Sequence, residues 1–238
     1  MHSRKHKRGG IMFPGGKTKA LTFSYDDGIV SDKKLVKILN EYGMKCTFNL
    51  NSGIMTHANN WDYMGFRAMR MNVDEIGDLY DGHEIAVHCL THPDLTAQDD
   101  DTVKNEILAD KANLERMFGR TVCGMAYPIG YYDDRVKKLV AECGIKYSRT
   151  VESTHSFDIP DDLISYGPTC HHNDEKIFEL AEEFISLKTE KPQVFYIWGH
   201  SYEYDAQNNW DRLEKLCRML AGKDDIYYCS NAQALLGV

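Results

Sequence analysis

Short β-prone runs alternate with helical patterns along almost the whole chain. Residues 21–25 are β-branched and aromatic, and they stop at Asp26-Asp27-Gly28. Ser31 stands where a helix cap belongs, and Leu35, Ile38 and Leu39 then recur at helical spacing until Gly43. Residues 46–50 read as a second strand, 73–80 as a short helix and 84–87 as a third strand. Residues 101–118 predict a long amphipathic helix through Val103, Ile107 and Leu114, closed by Gly119. Beyond it, 122–127, 145–151, 163–166, 194–198 and 226–229 read as strands, and 133–143, 175–187 and 210–220 as helices. Strand and helix in alternation imply a parallel sheet with crossover helices. The expectation is a single α/β domain, a (β/α) barrel of seven to eight mostly parallel strands in preference to an open doubly wound sheet.

Composition narrows the class of protein. With 238 residues, 42% of them hydrophobic and 27% charged, the chain can bury a core without staples, which excludes disorder and collagen-like structure. Twenty-eight basic against thirty-six acidic residues give a net charge of −8, which argues against nucleic acid or an anionic membrane as partner. No apolar run has the length of a membrane span. The seven cysteines are odd in number and scattered, and they read as buried free thiols of a reducing compartment. Residues 1–16, with Arg4, Lys5, Lys7 and Arg8 ahead of Pro14-Gly15-Gly16, are expected to be a mobile basic tail, and 17–238 the domain. The tail lacks the apolar stretch of a signal peptide, so the chain as given is expected to be cytoplasmic, unless an export signal was trimmed away. Oligomeric state is left open.

Residues with catalytic potential collect at the C-terminal ends of the expected strands, the face on which parallel β/α architectures place their sites. Asp26 and Asp27 follow the first strand. One carboxylate of such a pair can ligate a metal while its neighbour reaches a water, although Asp is also simply a favoured turn residue. His88 and His92 are four apart, a spacing that brings both imidazoles to one face of a helical turn, and Pro93 limits that turn to a short one. Two histidines and a carboxylate make three ligands of a tetrahedral site with one position left for water. The zincin motif is excluded because Cys89 follows His88. Residues 126–130, with Tyr127 and Pro128, form a rigid turn whose backbone N–H groups can face an oxyanion. His200 is a candidate general acid, and Trp198 an apolar wall or stacking surface for a sugar. His171 and His172, after the expected strand 163–166, are candidate substrate contacts or extra ligands.

Taken in this order, the segments resemble the polysaccharide deacetylase (NodB-homology) family, carbohydrate esterase family four. The family's Thr-Phe-Asp-Asp-Gly motif is met by Thr22-Phe23 and Asp26-Asp27-Gly28 with Ser24-Tyr25 between, its His-Ser/Thr-x-x-His motif by His88 and His92, its Pro-x-Gly by Pro128-Ile129-Gly130, and its Leu-x-x-His by Ile197 to His200. The resemblance spans about residues 20–230 and implies a distorted barrel. It also implies Asp27, His88 and His92 as metal ligands, Asp26 as catalytic base and His200 as general acid. The implied reaction removes acetyl groups from N-acetylated, or O-acetylated, carbohydrate. The divalent metal expected is Zn2+, with Co2+, Ni2+, Mn2+ and Fe2+ as alternatives. Two positions depart from the family. Ala126 stands where an arginine usually orients the base, and Arg149 on the next strand is the candidate replacement. The Asp-x-x-Asp-Trp motif, whose carboxylate would tune His200, has no counterpart, although Asp158, Asp161 and Asp162 lie nearby in sequence. The other readings are a hydrolase of a non-sugar C–N bond in a small amide, and an inactive carbohydrate-binding member.

Overall fold

The computed structural model describes residues 12–237. Its strands are β1 (Lys19–Asp26), β2 (Cys46–Leu50), β3 (Asn60–Tyr63), β4 (Phe66–Met69), β5 (Glu84–Val87), β6 (Gly124–Ala126), β7 (Tyr147–Arg149), β8 (Cys170–His171), β9 (Gln193–Gly199) and β10 (Ile226–Tyr228). Its α-helices are α1 (Asp32–Glu41), α2 (Asp100–Phe118), α3 (Asp134–Glu142), α4 (Ile177–Ser186), α5 (Tyr202–Ala206), α6 (Trp210–Leu220) and α7 (Asn231–Leu236). The large sheet runs β7-β6-β5-β2-β1-β9-β8, every pair parallel, with β10 beside the first half of β1. One parallel bridge between Arg149 and Tyr166 brings the chain just before β8 back against β7, curling the sheet into a distorted (β/α) barrel. This is the α/β architecture that the alternation of strand and helix implies.

Period-two alternation decides what lies inside the curl. Leu21, Phe23 and Tyr25 of β1, with Cys46, Phe48 and Leu50 of β2 and Phe195 and Ile197 of β9, belong to the main apolar core under the helices. The alternate positions turn inward; on β9 and at Ala20 they are largely apolar, whereas Thr22, Ser24 and Asp26 of β1 and Thr47 and Asn49 of β2 are polar. Thr22 Oγ1 donates to Asn231 Oδ1 at 2.7 Å, and Asn49 Nδ2 donates to Ser24 Oγ at 2.9 Å. Asp26 is the last member of that inward row, so the strand's own pleat delivers its carboxylate to the C-terminal mouth of the barrel. β1 is buried on both faces throughout, as a central parallel strand must be.

Several expectations need correction. Ser31 sits at the start of α1 but does not cap it; its hydroxyl donates to Asp205 Oδ2 at 2.5 Å. The expected helix 73–80 is a single 3-10 turn, Val73–Glu75, because Gly77 adopts φ 46°. The expected strand 163–166 is a 3-10 turn at Leu163–Ser165. Asp162 nucleates it by accepting from the Ile164 N–H and the Ser165 hydroxyl, and only Tyr166 pairs. The β3–β4 hairpin, β8, α5 and α7 were not anticipated. Of the expected tail 1–16, residues 1–11 lie outside the described residues, whereas Phe13 is buried against Tyr227 and bonds through its N–H to Lys17. All seven cysteines are free, and only Cys123 is not fully buried. No helix among the described residues is long and apolar enough to cross a membrane.

Candidate metal centre and active site

Three ligand atoms converge at the barrel mouth. Asp27 Oδ1 lies 3.8 Å from His88 Nε2 and 3.7 Å from His92 Nε2. These gaps are too long for hydrogen bonds and leave room for one ion between the three groups. The backbone is bent to achieve this. Asp27 sits at φ 84° and Gly28 at φ 65°, so the two residues after β1 turn sharply and re-aim the Asp27 carboxylate. His88 and His92 are not on a helical turn. Cys89 and His92 hold φ values of 64° and 62°, and it is this irregular path that sets the two rings edge to face at 4.8 Å.

α2 holds that path in place with carboxylates on its buried face. Asp110 accepts the His88 N–H at 3.1 Å and the Ser52 N–H at 2.7 Å, while Glu106 accepts the Thr91 N–H at 2.8 Å and the Thr91 hydroxyl at 2.7 Å. Asn51 Nδ2 donates to the Cys89 carbonyl at 2.8 Å and also to the His88 carbonyl. Strained residues persist where the surroundings over-determine them, as here.

The tautomer of His88 follows from its partner. Its Nδ1 lies 2.8 Å from the Ala126 carbonyl, which can only accept, so Nδ1 carries the proton and Nε2 turns a lone pair toward Asp27. Burial lowers the His88 pKa to about 4, which keeps the ring neutral, as a ligand must be. Burial alone would raise the Asp27 pKa, but Arg70 and then His200, His88 and His92 outweigh it and hold the carboxyl well below its usual range. Arg70 donates to Asp27 Oδ1 at 2.9 Å, to the Asp27 carbonyl at 2.5 Å and to Asn51 Oδ1 at 2.6 Å. An ionised carboxylate and two imidazole lone pairs are the donor set a divalent transition metal takes.

Asp26 faces the same space from the other side. Its Oδ2 is 3.9 Å from His88 Nε2 and 4.0 Å from His200 Nε2, and its Oδ1 accepts from Asn49 Nδ2 at 2.7 Å. Arg149 donates to Oδ2. Ala126 and Arg149 are register partners across β6 and β7, so the guanidinium reaches Asp26 from the strand beside the position where it is otherwise missing. Burial would push the Asp26 pKa up; Arg149, then His88 and His200, bring it below the ordinary value.

The carboxylate on His200 comes from Glu203, three residues on in α5, which the sequence reading passed over. Glu203 Oε1 lies 3.0 Å from His200 Nδ1. Its Oε2 is surrounded by His171 Nε2 at 3.2 Å, His172 Nε2 at 2.8 Å and Asn173 Nδ2 at 3.1 Å. Desolvation works against the charged form of His200, but the Glu203 bond and the charges of Asp27 and Asp26 push its pKa up to about 9. Glu203, despite burial, is held well below the carboxylate range by His172 and His200. Asp162 instead pairs with Lys137, and Asp158 with Gln193.

The cluster His171–His172–Glu203 has the composition of a second ion site, but one tautomer opposes it. The Asn173 N–H donates to His171 Nδ1 at 3.1 Å, which places the proton of a neutral His171 on Nε2, facing Glu203 as a donor. These two histidines therefore act on Glu203. His172 is no substrate contact: it is buried with its ring stacked on Tyr204 at 4.2 Å, and its Nδ1 is 3.2 Å from the Tyr25 hydroxyl. His171 lies in β8 itself, not after strand 163–166, and is half-buried. Trp198 offers no stacking face. It is buried, with the Arg149 guanidinium 4.3 Å over its ring. Tyr127 and Pro128 are buried too. The Tyr127 hydroxyl donates to Ile164 and its N–H to Arg149, so that N–H is not free for an oxyanion.

Gly199 is required by this packing, since a Cβ there would fall 2.1 Å from His172 Nδ1. Gly199→Ala is expected to cost about 1–3 kcal/mol through overpacking and to lower the melting temperature by several degrees. Thermal unfolding followed by circular dichroism checks this, and an unchanged melting temperature contradicts it.

Fold and donor set together define a β/α-barrel protein with a candidate metal centre at the C-terminal mouth. The polysaccharide deacetylase family model matches residues 14–148, so the chain belongs to the polysaccharide deacetylase family. No curated protein sequence matches it. Among solved structures, a putative polysaccharide deacetylase of Mycobacterium smegmatis is 19% identical, with 96% of this chain aligned to 93% of that one at a TM-score of 0.68. The chitin deacetylase of the fungus Colletotrichum lindemuthianum is 17% identical over 94% of this chain and 90% of its own, at a TM-score of 0.57. A Streptococcus pyogenes deacetylase in complex with acetate is 21% identical at a TM-score of 0.52, and there the alignment covers 60% of this chain and 61% of that one. At these identities the likeness is one of fold.

Proposed function

We propose that the protein is a metal-dependent hydrolase that removes acetyl groups from acetylated carbohydrate. The observation that carries this reading is the convergence of Asp27, His88 and His92 on one point, with Asp26 and His200 facing it at about the same range. Asp27 Oδ1 and the two Nε2 atoms would hold the ion. When bound, a divalent ion supplies Lewis acidity toward a carbonyl oxygen and a water molecule. Asp26, ionised and fixed between Asn49 and Arg149, takes the proton of the attacking water. His200, kept protonated by Glu203, gives a proton to the departing amine, or to the alcohol of an O-acetyl ester. The products are acetate and the free amine or hydroxyl. The test is acetate release from a panel of acetylated oligosaccharides, with metal-stripped protein as control. Release that depends on restored metal supports the reading, and no release from any of them removes it.

Glu203→Gln bears on the acid step. A general acid works only while protonated, so activity is lost as pH rises through the pKa of His200. Removing the Glu203 charge removes the largest influence that raises that pKa and leaves those of Asp27 and Asp26, so the alkaline limb of the kcat/KM profile is expected to move to lower pH. An unmoved limb with wild-type kcat would separate Glu203 from the chemistry.

A further inference from the structure

One buried carboxylate has no part in the reaction proposed above. Asp32, the first residue of α1, is fully buried, and burial pushes its pKa up to about 7. A carboxylate is costly to bury unless donors meet it, and two hydroxyls do. Tyr80 donates to Oδ2 at 2.6 Å and Ser201 donates to Oδ1 at 2.5 Å. Ser201 is itself fully buried and directly follows His200. It occupies the cap position of α5, yet its hydroxyl makes no cap bond and goes to Asp32 instead.

The same two segments exchange a second bond of this kind in the opposite sense. The Ser31 hydroxyl donates to Asp205 Oδ2, whose other oxygen accepts from Trp210 Nε1 at 2.7 Å. Consecutive residues 31 and 32 thus meet residues 205 and 201, which bracket the turn that carries Glu203. Ile29 and Tyr202, from the same two segments, belong to one small apolar cluster with Ala68. Each segment also carries part of the candidate site. Residues 26–32 lead from Asp26 and Asp27 into α1, and residues 200–205 lead from His200 through Glu203. The Glu203 N–H donates to the His200 carbonyl at 3.1 Å, which ties acid and partner into one turn.

We infer that Asp32 and Ser201 are positioning residues for the general acid: through this crossed pair of Ser–Asp bonds, the segment that carries the base and a metal ligand fixes where His200 stands. The inference rests on the deacetylase reading and goes beyond it, because it gives a role to a carboxylate that lies outside the reaction. Proton transfer to a leaving group needs the donor within hydrogen-bond reach, so a small displacement of His200 is felt in kcat. It is felt only where the leaving group needs a proton. An amine or a sugar alcohol does, whereas 4-nitrophenolate departs unaided.

The discriminating measurement is therefore a pair of rates. Metal-loaded wild type, Ser201→Ala and Tyr80→Phe are assayed on 4-nitrophenyl acetate and on whichever of tri-N-acetylchitotriose and an acetylated xylotriose is turned over. In Ser201→Ala, kcat on the trisaccharide is expected to fall about tenfold while kcat on the aryl ester stays within about twofold. Ser31→Ala opens the second bond and is expected to show the same selective loss, about threefold, and it decides in place of Ser201→Ala if that variant does not fold. Tyr80→Phe removes the other donor from the same carboxylate and leaves the His200 turn alone. It is expected to lower the melting temperature and keep both rates within about twofold. Equal losses on both substrates in Ser201→Ala, no loss on either, or the same selective loss in Tyr80→Phe overturns the inference. A crystal structure of Ser201→Ala reads the position of His200 without turnover. His200 Nε2 is expected to leave its place 4.0 Å from Asp26 Oδ2 while His88 and His92 stay, and an unmoved His200 overturns the positioning role. Where the wild type turns over no trisaccharide, only the deacetylase reading fails; there, or where it leaves the aryl ester uncut, that structure alone decides the positioning role.

Discussion

Asp26→Asn is expected to keep its fold and its metal and to lose about a hundredfold to ten-thousandfold in kcat, the range a positioned general base contributes. The substitution preserves shape and removes charge. Asn49 can still face the amide, but the Arg149 guanidinium, buried at 1% exposure, loses the carboxylate it pairs with. An unpaired buried cation is costly, so some stability goes with the activity, and Arg149→Met in the same background is expected to return part of it. The single substitution Arg149→Ala leaves Asp26 with one partner, Asn49. It is expected to lower turnover far more than metal affinity, because Arg149 reaches Asp26 and is not among the groups around Asp27. Asp26→Asn with wild-type turnover and normal metal content would remove Asp26 as base.

How far the sequence carries to this site depends on how local each signal is. The inward carboxylate of Asp26 is legible because strand alternation and a strand end are both local, and the same holds for His88 one residue beyond β5. Arg149 was readable only as a neighbour of position 126, since pairing of β6 with β7 is a tertiary fact that their short separation makes guessable. Glu203 carried a weaker local signal, an acid three residues after His200, which matters only if the intervening turn is helical. It is, over Tyr202–Ala206. Arg70 had no local signal at all, because its contact with Asp27 crosses 43 positions of chain. The β3–β4 hairpin was hidden differently. Trp61 and Tyr63 alternate with polar residues as a strand should, but the turn is Met64-Gly65, with φ values of 53° and 82°, and a methionine there is not the asparagine or aspartate that advertises such a turn. The misplaced helix at 73–80 and strand at 163–166 failed for one reason: a single glycine or aspartate outweighed a run of favourable residues.

The barrel interior is the other departure from simple hydropathy. A purely apolar reading of β1, β2 and β9 places a dry core on both faces, whereas Thr22 pairs with Asn231 and Asn49 bonds both Ser24 and Asp26 on the inward face. Each of these residues makes at least one side-chain hydrogen bond to a neighbour, although Asn49 Oδ1 is left without a partner. Asp26 is therefore held from beneath by Asn49 as well as from the side by Arg149, which fixes its carboxylate at the mouth of the barrel.

Loss of either imidazole is expected to abolish the metal centre. His88→Ala and His92→Ala each reduce three protein ligands to two, and neither has a substitute within reach. The remaining histidines near the mouth offer no lone pair: His200, bonded through Nδ1 to Glu203, has its pKa pushed up to about 9 and keeps a proton on Nε2 as well, and neutral His171 carries its proton on Nε2 because Nδ1 receives an N–H. Wild-type protein is accordingly expected to bind one ion per chain, not two, while His88→Ala binds none after dialysis, with activity falling more than about a hundredfold. The two variants separate in stability. His88 is buried and bonds the Ala126 carbonyl, so its removal orphans an acceptor and leaves Asp26 and Asp27 without a neighbour between them; His92 is a quarter exposed and its loss disturbs less. Elemental analysis of dialysed protein alongside thermal unfolding distinguishes metal loss from unfolding. Folded variants that both retain one ion per chain would refute the ligand assignment, and with it the chemistry proposed for Asp26 and His200.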